Sequence, residues 1–384
     1  MRPALAGRAL TSGAGPSVLR LVALIALSAT IAPVSGCTPG GGPPPVTGVP
    51  TAAPSVTDPW AVLRDAQASC QSTALGPVKV TGSPVKAITA VDDCAVLLTR
   101  IDNSVWIWSP GGAASFPGVQ VSVLLSFLFP VPGGFWVAAY DADRERPFLR
   151  LLRSSGSAEV VLPADLIEID AAAAYGDGVI IGGSVRAPGY STPEPDSVLL
   201  AVAADGTVTT LRRFAHSTIA GIAADGARIA VGVIDRGVVK VSHTSGDQWQ
   251  ETSFGPGGSI PGIVMDGDTV VVLYHEQQSG AVVAMVTETS RDGGATWTPT
   301  RDPDAYGGGL LGFWDHVPVG NLAMPGSQVS LFTLSESNHW EPLGKAPLTD
   351  PESAVLAEMA PCGVWVAQDG TFSHVPLSDT CQPG

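Results

Sequence analysis

A pattern of roughly 40–49 residues recurs along this chain. Each copy has a run of small apolar residues, a glycine-containing turn, and then a stronger β-branched or aromatic run. AITAVDDCAVLLT begins at 87, VSVLLSFLFPVPGGFWVAAY at 121, IDAAAAYGDGVIIGGSV at 169 and STIAGIAADGARIAVGVI at 217. SIPGIVMDGDTVVVLYH follows at 259, NLAMPGSQVSLFTL at 321 and SAVLAEMAPCGVWVAQ at 353. Most copies continue into a second pair of short strands, such as VLLAVAADGTVTTLRRF at 198–214 or VVKVSHTSGDQWQETSF at 238–254. No such unit buries its two faces alone, so neighbours must stack and the stack must close to protect its edges. Four strands per unit is the sequence form of a β-propeller blade.

The expected architecture is therefore all-β: a propeller of seven four-stranded blades over residues 60–384. Six or eight blades are the alternatives, and a pair of β-sandwiches is the competing fold. The sixth unit is the least regular, and the last has three strands. GPVKVTG at 76–82 is expected to supply the missing outer strand and close the ring.

Composition agrees with many short strands and tight turns. Hydrophobic residues make up 45%, charged residues only 14%, with 45 Gly and 33 Pro. The net charge of −15 leaves no basic stripe to release counterions from phosphates, so nucleic acid is excluded as a partner. The four lysines, Lys79, Lys86, Lys240 and Lys345, exclude polybasic attachment to anionic lipid.

The most specific motif is SRDGGATW at 290–297. It resembles the BNR/Asp box of sialidase-like propellers, sortilin-type receptors and photosystem assembly propellers. The resemblance implies a structural turn between third and fourth strands. In it Ser290, Asp292, Gly294, Thr296 and Trp297 hold a hairpin, and Asp292 bonds backbone NH groups of its own turn. Burial of the Trp297 indole contributes about 2 kcal/mol. SHTSGDQW (242–249) keeps Ser242, Gly246 and Trp249 at the same spacing but has Thr244 for Asp, and SESNHW (335–340) is a more worn copy.

The N-terminus carries an address. Arg2, Arg8 and Arg20 precede LVALIALSATIAPV at 21–34, which is shorter than the about 20 residues of a membrane span. Val34, Ser35, Gly36 and Cys37 then resemble the lipobox of bacterial, actinobacterial-type lipoproteins. That resemblance implies a signal peptide over 1–36, lipidation of Cys37, and attachment to the extracytoplasmic face of the cell membrane. Residues 37–59, rich in Pro, Gly and Thr, read as a tether. The four remaining cysteines, Cys70, Cys94, Cys362 and Cys381, suit disulfides in an exported chain. Three pairings are open; sequence proximity favours Cys70–Cys94 with Cys362–Cys381.

Catalytic signals are weak. A sialidase uses an arginine triad, a Tyr nucleophile tuned by Glu and an Asp acid/base, and this chain lacks the family's Arg-Ile-Pro. Tyr274 with Glu276 is the closest pair. DADRE (141–145), MDGD (265–268) and RDPDA (301–305) bunch carboxylates, but none matches a calcium-binding EF-hand loop. No cofactor and no metal is expected.

Binding is expected instead on the face that carries the loops between second and third strands. That rim gathers Arg144, Arg146, Tyr190, Arg236, His275, Glu276, Arg301 and Tyr306, and Arg and Tyr are frequent interface anchors. The expectation is a non-enzymatic, membrane-anchored module whose rim binds an envelope protein or glycan; a sialidase-like glycosidase is the alternative.

Overall fold

The computed structural model describes residues 58–69, 75–79, 84–121, 126–141, 144–185, 195–245, 248–302, 307–323, 330–343, 356–368 and 371–377. Of the chain's two units, Met1–Val49 lies outside the described residues, and all that follows concerns Pro50–Gly384.

Among the described residues there are one helix, α1 (Pro59–Ser69), and 27 strands. After β1 (Leu75–Lys79), a four-stranded sheet forms from β2 (Val85–Ala90), β3 (Val96–Arg100), β4 (Ser104–Ser109) and β5 (Gly112–Gln120). The next holds β6 (Ser126–Val131), β7 (Gly134–Asp141), β8 (Arg146–Arg153) and β9 (Gly156–Val160). A third holds β10 (Ala171–Tyr175), β11 (Gly178–Val185), β12 (Asp196–Val202) and β13 (Val208–Phe214). A seven-stranded sheet follows, built of β14 (Ser217–Asp225), β15 (Arg228–Asp235), β16 (Val238–Ser245), β17 (Gln248–Asp266), β18 (Thr269–Gln278), β19 (Ala281–Ser290) and β20 (Thr298–Asp302). Then come β21 (Gly307–Trp314), β22 (Val317–Ala323), β23 (Ser330–Leu334) and β24 (Trp340–Pro342). The last sheet combines β25 (Leu356–Ala360), β26 (Gly363–Gln368) and β27 (Thr371–Pro376) with β1.

All pairings are antiparallel meanders, and the sheets form a propeller. Its inner strands pack on one another in the order β2, β6, β10, β14, β17, β21, β25 and back to β2. Sheets crowd together at the axis, which is why each repeat begins with small residues. The inner strand β10 reads AAAAY, and a Cβ at Gly262 would lie 2.7 Å from Leu310 Cβ on the neighbouring inner strand. One strand outward the side chains enlarge, and every residue of β11 (GVIIGGSV) is buried. The apolar core lies between sheet faces. Leu97, Ile107, Phe135 and Val137 fill the space between the first two complete sheets, and Trp108, Trp365 and Phe372 fill that between the first and the last.

Two features depart from the sequence expectations. The seven separate blades become six sheets, because β17 runs on for 19 residues and serves two partners. Gln248–Pro256 pairs with β16, and Gly257–Asp266 pairs with β18. Gly255, Gly257, Gly258 and Gly262 all lie within this strand, and none of them adopts positive φ. Bulges at 257–262 switch the ladder from one partner to the other instead.

The closing strand is β1, which pairs Val78 with Phe372 and Lys79 with Thr371 and fills the outer place of the last sheet. That strand was expected; the second departure is α1, where a tether was expected to give way directly to strands. Asp58 caps it by accepting from Trp60 N at 3.0 Å, and Pro59 starts its first turn. Val62 and Ala66 face the core, and Trp60 stacks on Phe135 with ring centroids 5.4 Å apart. Cys94 and Cys362 are both disulfide-bonded; Cys37, Cys70 and Cys381 lie outside the described residues.

Candidate binding faces of the ring

In a meander of this order, turns joining first to second and third to fourth strands share one face. Turns joining second to third strands share the other. SRDGGATW links β19 to β20 and so lies on the first face. Asp292 Oδ1 accepts from Thr296 N at 2.8 Å and Ser290 Oγ at 2.9 Å, while Oδ2 accepts from Thr296 Oγ1 at 2.6 Å. These bonds, those from Thr296 first, hold the exposed Asp292 carboxyl down to about 2. Gly294 adopts φ 95° and lies against the His243 ring, where a Cβ would come 2.2 Å from Nε2. Trp297 donates to Gly294 O at 2.9 Å and packs edge-on to Phe254. In the worn copy, Trp340 donates to Thr287 Oγ1 at 2.9 Å, tying β24 to the neighbouring sheet. The whole motif is thus engaged in its own turn and in adjacent sheets.

On the opposite face, the expected rim residues do not converge. Arg144, Arg146 and Arg150 all bond Glu159 of their own sheet at 3.0–3.4 Å, and Arg144 also pairs with Asp141. The Arg150 hydrogen bond, with Arg144 and Arg146 adding, holds Glu159 below the usual carboxylate range. Arg236 lies 4.0 Å from Asp235, which Lys240 holds at 2.7 Å, and Arg301 bonds Glu276 at 2.6 Å. Each arginine of the expected set is therefore neutralised locally, because an acid occupies a nearby register position. His275 Nδ1 lies 2.8 Å from Ser259 Oγ, and burial lowers its pKa. Tyr190 and Tyr306 lie outside the described residues.

The Tyr274 environment opposes nucleophilic catalysis. Burial first, then the Glu288 and Glu276 carboxylates, push its phenol up to about 12. A sialidase-type nucleophile needs the reverse, since it must lose its proton easily. Burial also raises Glu288 to about 7, and Tyr274 packs among the apolar side chains of Val272, Val286 and Phe254.

Sequence reasoning missed a cavity of about 500 Å³ at the inner edge of the first face. It lies where β14, β17 and β21 end. Ile263, Met265 and Phe313 line it, together with Asp225, Asp266, Asp315 and His316. Asp225 Oδ2 accepts from Gly267 N at 2.7 Å, and His316 Nδ1 lies 2.6 Å from Asp266 Oδ2. That bond and the Asp266 charge raise the His316 pKa. Equivalent turns use glycine for positive φ, at Gly176, Gly226 and Gly267. The β21–β22 turn instead carries Asp315 at φ 49° and His316 at φ 63°, a conformation that costs about 1 kcal/mol or more per residue. Two non-glycine residues in that conformation were the available sequence signal, since Asp315-His316 stands where a glycine is usual.

Comparison with known proteins finds likeness of fold only. No family model and no curated protein matches the sequence. An oligogalacturonate lyase in complex with manganese superposes with a TM-score of 0.56 at 12% identity, covering 80% of this chain and 94% of the lyase. YCF48 bound to a D1 peptide gives 0.52 at 9% identity, covering 81% of this chain and 98% of YCF48. The WD40 β-propeller domain of Doa1 gives 0.50 at 12% identity, covering 80% and 98%. These chains differ in what they bind, so the shared ring identifies the scaffold and leaves the activity to the side chains.

Proposed function

We propose that this chain is a lipid-anchored, extracytoplasmic propeller that binds an extended, basic segment of a cell-envelope protein and catalyses no reaction. The observation that carries this reading is the channel-edge cavity with its Asp315-His316 turn. Three carboxylates and one imidazole surround an apolar floor of Ile263, Met265 and Phe313. An arginine or lysine beside an apolar residue complements that lining in both charge and hydrophobicity. The D1 peptide on YCF48 supports a peptide as occupant of a ring of this kind. The VSGC sequence after the apolar run supports the anchor at Cys37. The glycan reading loses support, since the arginines expected to hold such a ligand are already ion-paired. A protonated, buried Tyr274 argues against the glycosidase reading.

The test is in-cell photocrosslinking of the full-length, lipidated protein. A photoreactive phenylalanine at position 313 should capture one discrete partner whose crosslinked peptide contains Arg or Lys. Capture should disappear with Asp225→Lys combined with Asp315→Lys, and with Cys37→Ala. The same probe at position 236, on the opposite face, should capture nothing. Equal capture from both faces, or capture indifferent to charge reversal, overturns the reading.

A further inference from the structure

The outer strand of each propeller sheet has one open edge, and an open edge invites pairing with another chain. The described outer strands are β1, β5, β9, β13, the first half of β17, β20 and β24. Five of these seven carry a proline, at Pro77, Pro117, Pro256, Pro299 and Pro342. Proline cannot donate to an added ladder, so it blunts an edge. Strand β13 is guarded by charge instead: Arg212 bonds Glu251 at 3.4 Å and Arg213 bonds Asp165 at 3.3 Å, both outside its own sheet. Strand β9, GSAEV, has neither guard. Its single charge, Glu159, is held by Arg146 and Arg150, and among the described residues β9 pairs with β8 alone.

Cavities open on both sides of this edge, because Gly156, Ser157 and Ala158 are too small to roof the gaps between sheets. Towards the third sheet lies a cavity of about 680 Å³, lined by Trp136, Leu151 and, across the gap, Val208 of β13. Towards the first complete sheet lies one of about 380 Å³, lined by Leu152, Phe116, Pro117 and the Trp60 ring of α1. Successive residues of a strand point to opposite faces. A strand laid along β9 therefore sends alternate side chains into the two cavities. Arg153, exposed and opposite Gly156 in the ladder, lines both cavities and makes no ion pair among the described residues.

We propose that β9 binds an extended segment of a partner protein as an added strand, apolar and β-branched along its length with an acidic residue beside Arg153. Backbone bonds to β9 hold the segment, the two cavities select its side chains, and Arg153 selects its charge. Residues 38–57 of this chain do not suit the edge, since they include six prolines and no acid. A second copy pairing β9 with β9 would bring another Arg153 rather than an acid to meet it. The site does not rest on the occupant of the channel-edge cavity.

The probe is the peptide fluorescein-Val-Thr-Val-Thr-Val-Asp-amide, titrated into the whole protein and followed by anisotropy, with amide hydrogen exchange to locate it. The wild type should bind it saturably, and exchange should slow at residues 156–160 and on no other outer strand. N-methylation of one alternate set of peptide amides should weaken binding at least tenfold, while methylation of the other set should not. Ser157→Lys, a guard placed at an exposed position, should weaken binding at least tenfold at unchanged Tm. Arg153→Glu should lose this peptide and bind the version carrying Lys in place of Asp. Asp315→Lys, in the channel-edge cavity, should change nothing, so the two sites fail or stand separately. The proposal is overturned by absence of saturable binding to the wild type, by indifference to both methylations, or by equal binding to folded Ser157→Lys. Protection on another strand, or binding by Arg153→Glu that ignores the peptide's charge, overturns it as well. A wild type that sediments as a dimer while Ser157→Lys is monomeric also overturns it, and gives the edge to a second copy.

Discussion

Ser290, Asp292 and Thr296 illustrate how little a conserved-looking motif needs to say about chemistry. Every polar atom that makes SRDGGATW conspicuous is spent on the turn: Gly294 N donates to Ser290 Oγ at 2.8 Å, and Asp292 takes three donors. Asp292→Ala should therefore lower the melting temperature by several degrees at pH 7 while leaving partner capture from position 313 unchanged. The pH dependence has a defined sign. Asp292 has a folded pKa of about 2 against an unfolded value near 4. The stabilisation it contributes is complete above the unfolded value and is lost as pH falls through the folded one. The difference in Tm between wild type and Asp292→Ala should hold from pH 8 to 5 and shrink between pH 4 and 2. A difference that stays constant down to pH 2 would mean the carboxylate charge plays no part. Thr296, which supplies both the backbone and the hydroxyl donor, was visible in sequence through its spacing. The arginine partners were not, because Glu159 is 15 residues from Arg144 and Glu276 is 25 from Arg301. Only the register of the strands brings those charges together.

At the scale of elements, the strands were legible because burial imposes alternation and because small residues must lead each repeat where sheets converge. The 19-residue β17 was not, since GPGGS carries every sign of a turn while its backbone stays extended. Helix α1 was missed for a different reason. It follows a Pro-rich stretch, has no acid in its first turn and no base in its last, and is signalled only by Asp58-Pro59 and the Val62, Leu63, Ala66 stripe. Its contribution nevertheless rests on large rings. Trp60 stacks on Phe135 and meets Phe116 edge-on, both with centroids 5.4 Å apart. Trp60→Ala should destabilise the protein by about 2–3 kcal/mol, as for loss of a partly buried aromatic anchor. The check is a urea midpoint at unchanged m-value. A midpoint equal to wild type would make α1 an appendage rather than part of the core.

For the whole molecule the decisive question is how the ends of the chain hold the ring shut. The β1–β27 ladder does this at the periphery, and its existence was foreseeable from a last unit one strand short. A second clasp lies deeper and had no sequence signature, because its members stand 269 and 281 residues apart. Asp93, in the turn between β2 and β3, accepts from Cys362 N at 2.9 Å and lies 3.1 Å from His374 Nε2 on β27. Both side chains of this pair are 1% exposed. Trp365 Nε1 adds a bond at 2.8 Å to Asp92 O of the same turn. These bonds join the first complete sheet to the last, so any rotation that opens the ring must break them in a dry interior. Asp93→Ala would strand a buried imidazole and a buried backbone NH, which costs about 2–4 kcal/mol. In a closed ring that cost should not stay local, because each sheet is held by two neighbours and an open ring leaves the terminal sheets with one. Asp93→Ala should therefore lower the midpoint of a single unfolding transition and speed proteolysis at both ends of the domain together. His374→Phe with Asp93→Ala should recover part of the loss, since an apolar ring needs no partner. If Asp93→Ala instead frays only the last sheet while the other five unfold at the wild-type midpoint, closure is carried by β1 alone and the buried pair is a local brace.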